Sequence, residues 1–379
     1  MKNSFLRVVL VLITALFFSN FANASTERTA QKKYAMYGVA FYNLENLFDT
    51  VHDAGKNDFE YLPTGRNKWG KMKYEAKLHN LARVLSELCT EKLPSGPAVI
   101  GLAEVENTHV LDDLLKQPAL AKRGYRYVDH GSLDRRGIEC AFFYNPRLFK
   151  LERSYLVPFY YGHTGEIEDP LLGFYTDEQG KVQAYDELKG DTTYITRGFL
   201  VMEGQLAGEK MAFIVNHWPS RAAGDAVRQR AGFQVRKLMD AIMEQTPGIK
   251  IMVMGDMNDD PGNNSMVKQL GCVSQVKDVK SARDMYNPWF NTLYKVGQGT
   301  LMYKGQWNLF DQIVLSGNMV GKNYSDLKYY QHAIFIRDYL FQQEGKFKGS
   351  PLRTHASGVW LNGYSDHLPT QVYLLKEKK

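Results

Sequence analysis

The chain has 379 residues and a net charge of +6, with 44% hydrophobic and 23% charged residues. This composition excludes an intrinsically disordered chain, a collagen-like fibre and a small disulfide-stabilised domain. The mean hydropathy of −0.37 excludes a polytopic membrane protein.

Residues 1–24 have the pattern of a secretion signal. Lys2 and Arg7 accompany the apolar run VVLVLITALFFS, and Ala22-Asn23-Ala24 then forms a cleavage pattern. This run is shorter than the roughly 20 residues of a membrane-spanning helix, although an N-terminal anchor is the alternative. We predict an exported chain, periplasmic or extracellular, without stable membrane insertion. Removal of Lys2 and Arg7 leaves a charge of +4, too little to indicate nucleic-acid binding by itself.

Strand-like and helix-like segments alternate through the rest of the chain. Strand patterns occur at residues 37–43, 98–104, 126–131, 140–145, 151–159, 198–205, 210–216, 250–255, 311–315 and 370–375. Helical spacing of apolar residues occurs at 73–90 and 224–244. Many strands with few long helices predict an α/β fold in which two sheets pack face to face with helices outside. The absence of a repeat or a linker-like composition favours one domain over residues 25–379.

Two segments look like insertions into this domain. Residues 49–69 are rich in Gly, Asn and Asp, and residues 160–193 are acidic. Loops of this length in a compact domain are typically lids, binding loops or disordered flaps. An acidic flap over the site would repel a polyanion such as duplex DNA. The three cysteines, Cys89, Cys140 and Cys272, leave at least one thiol unpaired, and a disulfide between the others stays open.

Polar side chains follow the predicted strands where the strands end. Six short stretches share this feature: NLEN at 43–46, EVEN at 104–107, NHWPSR at 216–221, GDMNDD at 255–260, FDQI at 310–313 and SDHLP at 365–369. Ligand sites form where several strand ends converge, so we expect the six stretches to meet. A single such stretch is commonly only a turn or a strand end.

The residue types in these stretches indicate a particular chemistry. Carboxylates and an Asn amide are oxygen ligands that favour Mg²⁺, with Mn²⁺ or Ca²⁺ as alternatives. Histidine serves as a general acid or base near neutral pH when a carboxylate fixes its tautomer. A divalent cation together with a His–Asp pair suits the attack of water on a phosphate ester.

The ordered series NLEN, EVEN, NHWPSR, GDMND, FDQI and SDHLP resembles the endonuclease/exonuclease/phosphatase superfamily, over about residues 37–374. The resemblance implies a deoxyribonuclease-like four-layer sandwich of two packed mixed β-sheets flanked by helices. It also implies roles for individual residues. The implied metal-site residues are Asn43, Glu104 and Asp366. The implied catalytic residues are His217, Asp256, Asn258, Asp311 and His367.

Two arginines are further candidates for contact with phosphate. Arg197 follows Thr196, and Arg136 lies in the stretch DRRG. Each could instead form a surface ion pair with a nearby acid. His332 and His355 lie outside the motifs and are expected at the surface.

The sequence therefore predicts an exported, metal-dependent phosphoesterase that hydrolyses phosphodiester bonds, with nuclease activity favoured on DNA or RNA. The alternative is an inositol-phosphate phosphatase or a sphingomyelinase-like phospholipase C, which would share the catalytic set and differ at the rim. The remaining alternative is a non-catalytic binding protein on the same scaffold. We expect a monomer.

Overall fold

A computed structural model describes residues 33–132, 134–159, 175–176, 182–183 and 196–378. The predicted signal segment and most of the acidic insertion lie outside the described residues. In the part of the chain that is described, no helix has the length and apolar character needed to cross a membrane.

The structure has both long and very short elements. In chain order the strands are β1 (Tyr34–Leu47), β2 (Val99–Val105), β3 (Arg126–Val128), β4 (Glu139–Tyr144), β5 (Phe149–Val157), β6 (Tyr175–Thr176), β7 (Val182–Gln183), β8 (Phe199–Leu206), β9 (Glu209–His217), β10 (Lys250–Asp256), β11 (Cys272–Val273), β12 (Met285–Tyr286), β13 (Leu301–Tyr303), β14 (Gln306–Asn308), β15 (Asp311–Ser316), β16 (Lys328–Ile334), β17 (His355–Ala356), β18 (Val359–Trp360) and β19 (Thr370–Glu377). The α-helices are α1 (Lys71–Glu87), α2 (Thr108–Lys116), α3 (Pro118–Ala121), α4 (Asp225–Gln245) and α5 (Trp289–Asn291).

Two large mixed sheets form the centre of the compact unit Ala35–Lys376. The first has the strand order β16-β19-β1-β2-β4-β3, and the second has the order β11-β12-β15-β10-β9-β8-β5. Strands β1 and β2 run parallel, as do β9 and β10, whereas the pairs β2–β4 and β10–β15 are antiparallel. The expected architecture of two packed mixed sheets with flanking helices is confirmed.

Two apolar cores hold these layers together. The first core joins both sheets and helix α1, with Leu78, Leu81 and Leu85 of the helix buried in it. The second core lies between the other face of the second sheet and helix α4, which contributes Val235 and Leu238. Each fully buried side chain of this size stabilises the fold by about 1.5–3 kcal/mol. The central strands are apolar on both faces because both faces are covered.

The predicted strands and the two predicted helices all occur, but β1 is twice as long as predicted and β3 is half as long. Helix α2 was not predicted, and Asn107 is its N-cap, because the Asn107 side chain accepts a hydrogen bond from the Val110 N–H. Strand β16 was also missed, since its partly exposed residues make no continuous apolar run. The three cysteines are all buried and free.

Candidate active site

Strand register places three of the predicted residues in one row at the end of the second sheet. Asp256 ends β10 and pairs with His217 on β9 on one side and with Asp311 on β15 on the other. Residues directly opposite each other in neighbouring strands project from the same face of a sheet. A carboxylate therefore lies between an imidazole and a second carboxylate.

The first sheet contributes Asn43 from β1 and Glu104 from β2. Glu104 has a φ of 61° and interrupts the pairing of β2 between Ala103 and Val105, which is a bulge. Bulges re-aim a side chain, and a left-handed backbone at a non-glycine residue costs of order 1–3 kcal/mol. The Asn43 Nδ2 group donates to Glu104 Oε1 at 3.2 Å and to Asp256 Oδ2 at 3.0 Å. Asn43 thus connects the two sheets through their carboxylates.

His367 lies against the row and is held by Asp311. Its Nδ1 donates to Asp311 Oδ2 at 2.7 Å, so its Nε2 faces Asp256 Oδ2 at 3.7 Å. Burial opposes the charged imidazole, but Asp311 and Asp256 outweigh it and raise the pKa of His367 well above its usual value. The two carboxylates therefore favour the charged form of His367, in which a proton lies on the nitrogen that faces the site.

His217 lies on the other side of Asp256 and has the opposite character. Its Nε2 is 3.6 Å from Asp256 Oδ2 and 3.7 Å from Glu104 Oε1. Burial, together with the positive charges of Arg197 and Arg136, lowers the pKa of His217 well below its usual value. The Nδ1 atom of His217 is buried and has no hydrogen-bond partner among the described residues.

Asp256 is the central carboxylate of this arrangement. Burial raises the pKa of Asp256 to about 7; nearby Asp311 and Glu104 also raise it, while His367 opposes them. The Asn258 N–H donates to Asp256 Oδ1 at 2.9 Å, and Asn258 itself has a φ of 49°. The Asn258 side chain donates to the carbonyl oxygen of Trp218. A carboxylate with this pKa can accept a proton near neutral pH.

These side chains surround a cavity of about 490 Å³, here called the catalytic cavity. Eight of the predicted site residues line it: Glu104, Arg136, Arg197, His217, Asp256, Asn258, Asp366 and His367. Asn43 and Asp311 are completely buried and contact the lining residues from behind. The structure thus brings together all the residues that sequence singled out for this site.

The two predicted arginines differ in their surroundings. Arg197 is buried and donates to the carbonyl oxygens of His217 and Trp218 and to Asp134 Oδ2. It therefore supports the segment that carries His217. The Arg136 side chain is 52% exposed, and its backbone N–H donates to Asp134 Oδ1. Arg136 is the more accessible cation of the two.

Several of these side chains are spaced closely enough to share a cation. The ligand atoms of Glu104, His217 and Asp256 lie within 4.8 Å of one another, and so do those of Asp256, Asp311 and His367. Asp366 instead pairs with Arg353 at 3.0 Å. The Asn43 oxygen accepts the Glu45 N–H, so the amide nitrogen faces the carboxylates. Metal roles for Asn43 and Asp366 stay predictions.

Sequence reasoning missed three residues that support the site. Asp134 holds Arg197, as described above, and lies within the DRRG stretch, which offered a signal. Arg353 connects Glu45 to Asp366, and Lys77 donates to Thr354 Oγ1 and the Tyr364 carbonyl oxygen. Nothing in the local sequence marks Arg353 or Lys77, because their partners other than Asp366 lie 277 to 308 residues away.

The two-sheet sandwich thus has carboxylates, amides and imidazoles converging where its strands end. The sequence profile of the endonuclease/exonuclease/phosphatase family matches residues 38–167 and 173–376, and the chain belongs to this family. It is thus a hydrolase of the phosphoesterase type. No curated protein matches the sequence.

Solved structures show the same fold at low identity. A family member from Bacteroides thetaiotaomicron is 15% identical with a TM-score of 0.51, covering 91% of this chain and 96% of its own. A mannosyl-6-phosphatase from Bacteroides thetaiotaomicron is 15% identical with a TM-score of 0.50, covering 89% and 99%. D. rerio TDP2 complexed with a single-strand DNA product is 15% identical with a TM-score of 0.50, covering 90% and 99%.

Proposed function

We propose that this chain is a divalent-metal-dependent phosphodiesterase that acts as a nuclease. The observation that carries the proposal is the arrangement around Asp256. The His367 imidazole, whose charged form is favoured, faces this carboxylate on one side, and the His217 imidazole, whose neutral form is favoured, faces it on the other. Groups whose surroundings push their pKa values apart are suited to opposite roles in proton transfer.

The donor set fits a hard divalent cation. Glu104 would hold it, with Asp256 and His217 close enough to take part and Asp366 at the cavity wall. A bound Mg²⁺ or Mn²⁺ supplies Lewis acidity toward a phosphate oxygen. Asn43 donates to both Glu104 and Asp256, so it holds the two carboxylates apart at a fixed spacing.

The chain's own residues account for the proton transfers of hydrolysis. Asp256, with its raised pKa, accepts a proton from the attacking water. Asp311 fixes the His367 ring, so the His367 Nε2–H points into the cavity and gives its proton to the leaving oxygen, which balances the proton that Asp256 takes from water. His217, whose backbone carbonyl oxygen accepts from Arg197, orients a non-bridging oxygen through its Nε2–H and is in that role not a ligand of the cation. Such preorganised donors typically contribute 10²–10³ each to kcat.

The cavity supports a phosphodiester substrate. Arg136 is an exposed guanidinium at the cavity wall, whereas Arg197 is buried and its guanidinium is bonded to Asp134 and to two backbone carbonyl oxygens. Arg136 therefore suits bidentate contact with the phosphate group of a nucleic-acid backbone. The fold neighbour TDP2 was solved with a single-strand DNA product, which illustrates that this scaffold accommodates such a chain.

A substrate panel tests the proposal. The full-length chain is assayed with Mg²⁺, with Mn²⁺ and with EDTA on plasmid DNA, RNA, bis-p-nitrophenyl phosphate, inositol phosphates and sphingomyelin. We expect metal-dependent cleavage of nucleic acid and bis-p-nitrophenyl phosphate that Asp256→Ala abolishes. Asp278→Ala, the same change at an exposed position, serves as the control. Preference for inositol phosphates or sphingomyelin, or activity that persists in EDTA, would contradict the proposal.

We also propose that the chain is exported and that residues 1–24 are removed. The basic start, the short apolar run and the Ala-x-Ala pattern support this. Cell fractionation followed by N-terminal sequencing checks it. A mature protein beginning at Ser25 outside the cytoplasm is expected, and an intact N-terminus in the cytoplasm would contradict it.

A further inference from the structure

A second cavity lies beside the catalytic cavity and has no part in the chemistry above. It has a volume of about 200 Å³ and is here called the side cavity. Three segments line it: residues 45–46 near the end of β1, residues 60–67 of the first inserted loop, and residues 353–358. The loop that the sequence marked as an insertion therefore forms one wall of it.

The two cavities are neighbours, because residues of one are bonded to residues of the other at two points. The Asn46 N–H donates to Glu104 Oε2 at 2.8 Å, and Arg353 pairs with Asp366 Oδ2 at 3.0 Å. Asn46 and Arg353 line the side cavity, whereas Glu104 and Asp366 line the catalytic cavity. The two cavities therefore share a wall that is formed by these residues.

The side cavity is lined by one buried polar atom that lacks a partner and by an amide that is open to a ligand. Asn67 is 8% exposed and lines the side cavity, where its side-chain amide keeps some contact with solvent. The Nε2 atom of His355 is buried and unpaired in the described part of the chain. Buried polar groups are nearly always hydrogen-bonded in folded proteins, so unpaired ones at a cavity wall indicate a place for a polar ligand.

The charges around the side cavity cancel. Arg353 is paired with Glu45 and Asp366, and Arg66 lies 3.9 Å from Glu60. A second phosphate would thus meet paired arginines and two glutamates, which argues against an anionic ligand. Asn67 offers both a donor and an acceptor, and the Tyr61 ring adds an aromatic surface that is stacked on Phe48 from behind.

We propose that the side cavity binds the neutral ring attached to the scissile phosphate, a ring that carries both hydrogen-bond donors and acceptors. Asn67 is its central specificity-determining residue, with His355 as a second contact. The inference rests on the proposed function of the adjacent site. A nucleobase and a hydroxylated sugar share this chemistry, and the experiment distinguishes them.

Equilibrium binding with Mg²⁺ present tests the proposal. Thymidine 5′-monophosphate and mannose 6-phosphate are the ring-bearing probes, and inorganic phosphate is the probe without a ring. We expect at least one ring-bearing probe to bind about tenfold or more tightly than phosphate. Asn67→Leu, which keeps the size of the side chain and removes its hydrogen bonds, should reduce that preference about fivefold or more. His355→Phe should reduce it in the same direction.

Asn323→Leu makes the same chemical change at an exposed position and should leave the preference unchanged. The probe affected by Asn67→Leu identifies the ring: thymidine 5′-monophosphate indicates a nucleobase, and mannose 6-phosphate indicates a sugar. Equal binding of all probes to the wild type, or an unchanged preference in both variants, would overturn the proposal. Cleavage of bis-p-nitrophenyl phosphate by the wild type is measured in parallel. Absence of cleavage would contradict the proposed function, whereas the binding result alone decides whether the side cavity binds a ring.

Discussion

Individual side chains in the catalytic cavity owe their properties to one or two neighbours. His367 shows this most directly, because Asp311 both orients its ring and favours its charged form. The Oδ1 atom of Asp311 is buried and has no hydrogen-bond partner among the described residues. Replacing that carboxylate by an amide keeps the shape and removes the charge.

We therefore expect Asp311→Asn to lower kcat by about a thousandfold or more, since an amide favours the wrong tautomer of His367 and no longer stabilises its charge. The His367 pKa should fall at the same time, which NMR titration of the ring measures. The melting temperature should change little in comparison. Activity within a few fold of wild type, or an unchanged His367 titration, would show that Asp311 does not orient His367 and favour its charged form.

His332 was expected at the surface, and the structure shows that this expectation was wrong. It is partly buried, packs against the Trp289 ring at 4.6 Å, and is bonded to Thr292 and Tyr329. Burial lowers the pKa of His332 to about 4. His355 is also partly buried, so that expectation was wrong for both histidines.

This lowered pKa predicts a pH dependence of stability. The folded state holds His332 neutral, whereas the unfolded chain binds a proton near pH 6.5. The contribution of His332 to the free energy of unfolding is therefore fully present above about pH 6.5. Acidification toward pH 4 lowers the free energy of unfolding by up to about 3 kcal/mol. Urea unfolding of wild type and His332→Gln across this range measures the difference. A difference that does not vary with pH would contradict the burial argument.

At the scale of elements, the sequence predicted the strands and helices that a short-range pattern of apolar residues determines. Apolar runs and helical spacing located the main strands and α1 and α4. The bulge at Glu104 and the left-handed backbone at Asn258 could not be predicted, because they depend on pairing between strands distant in sequence. Convergence of the motifs followed from strand order, whereas the Glu45–Arg353–Asp366 connection depends on tertiary contacts alone.

At Gly232 of helix α4, helix propensity favours alanine, whereas the packing of the helix favours glycine. Gly232 lies within this helix, where Ala is ordinarily favoured by about 1 kcal/mol. A Cβ atom at Gly232 would lie 2.4 Å from the Ser265 carbonyl oxygen, which is backbone and cannot easily yield. Gly232→Ala should thus lower the free energy of unfolding by about 1–3 kcal/mol. A raised melting temperature would show that the helix and the Ser265 segment are not packed this closely.

At the scale of the whole molecule, the site depends on the spacing between the two sheets. Glu104 comes from the first sheet, His217 and Asp256 come from the second, and Asn43 joins them. Between the sheets, a Cβ atom at Gly101 of β2 would lie 2.6 Å from Met254 Sδ and 3.1 Å from Val215 Cγ2. A larger side chain at Gly101 must move the sheets apart or displace Met254.

Gly101→Val should therefore reduce kcat by about tenfold or more, because small displacements of catalytic groups carry large penalties in rate. Leu238→Ala, which opens a cavity in the second core away from the interface between the sheets, is the control for lost stability. We expect its kcat to stay close to wild type at a temperature where both variants are folded. Equal losses in the two variants would mean that stability alone explains the effect.

The buried thiols have a practical consequence. Cys89, Cys140 and Cys272 are each shielded inside the protein, and burial raises the pKa of Cys89 and of Cys272 to about 12. A thiol-specific reagent should not react with the cysteines of the native molecule and should alkylate them only when a core opens. The rate of alkylation, followed by mass spectrometry, would then act as a built-in reporter of opening, without any added dye or tag.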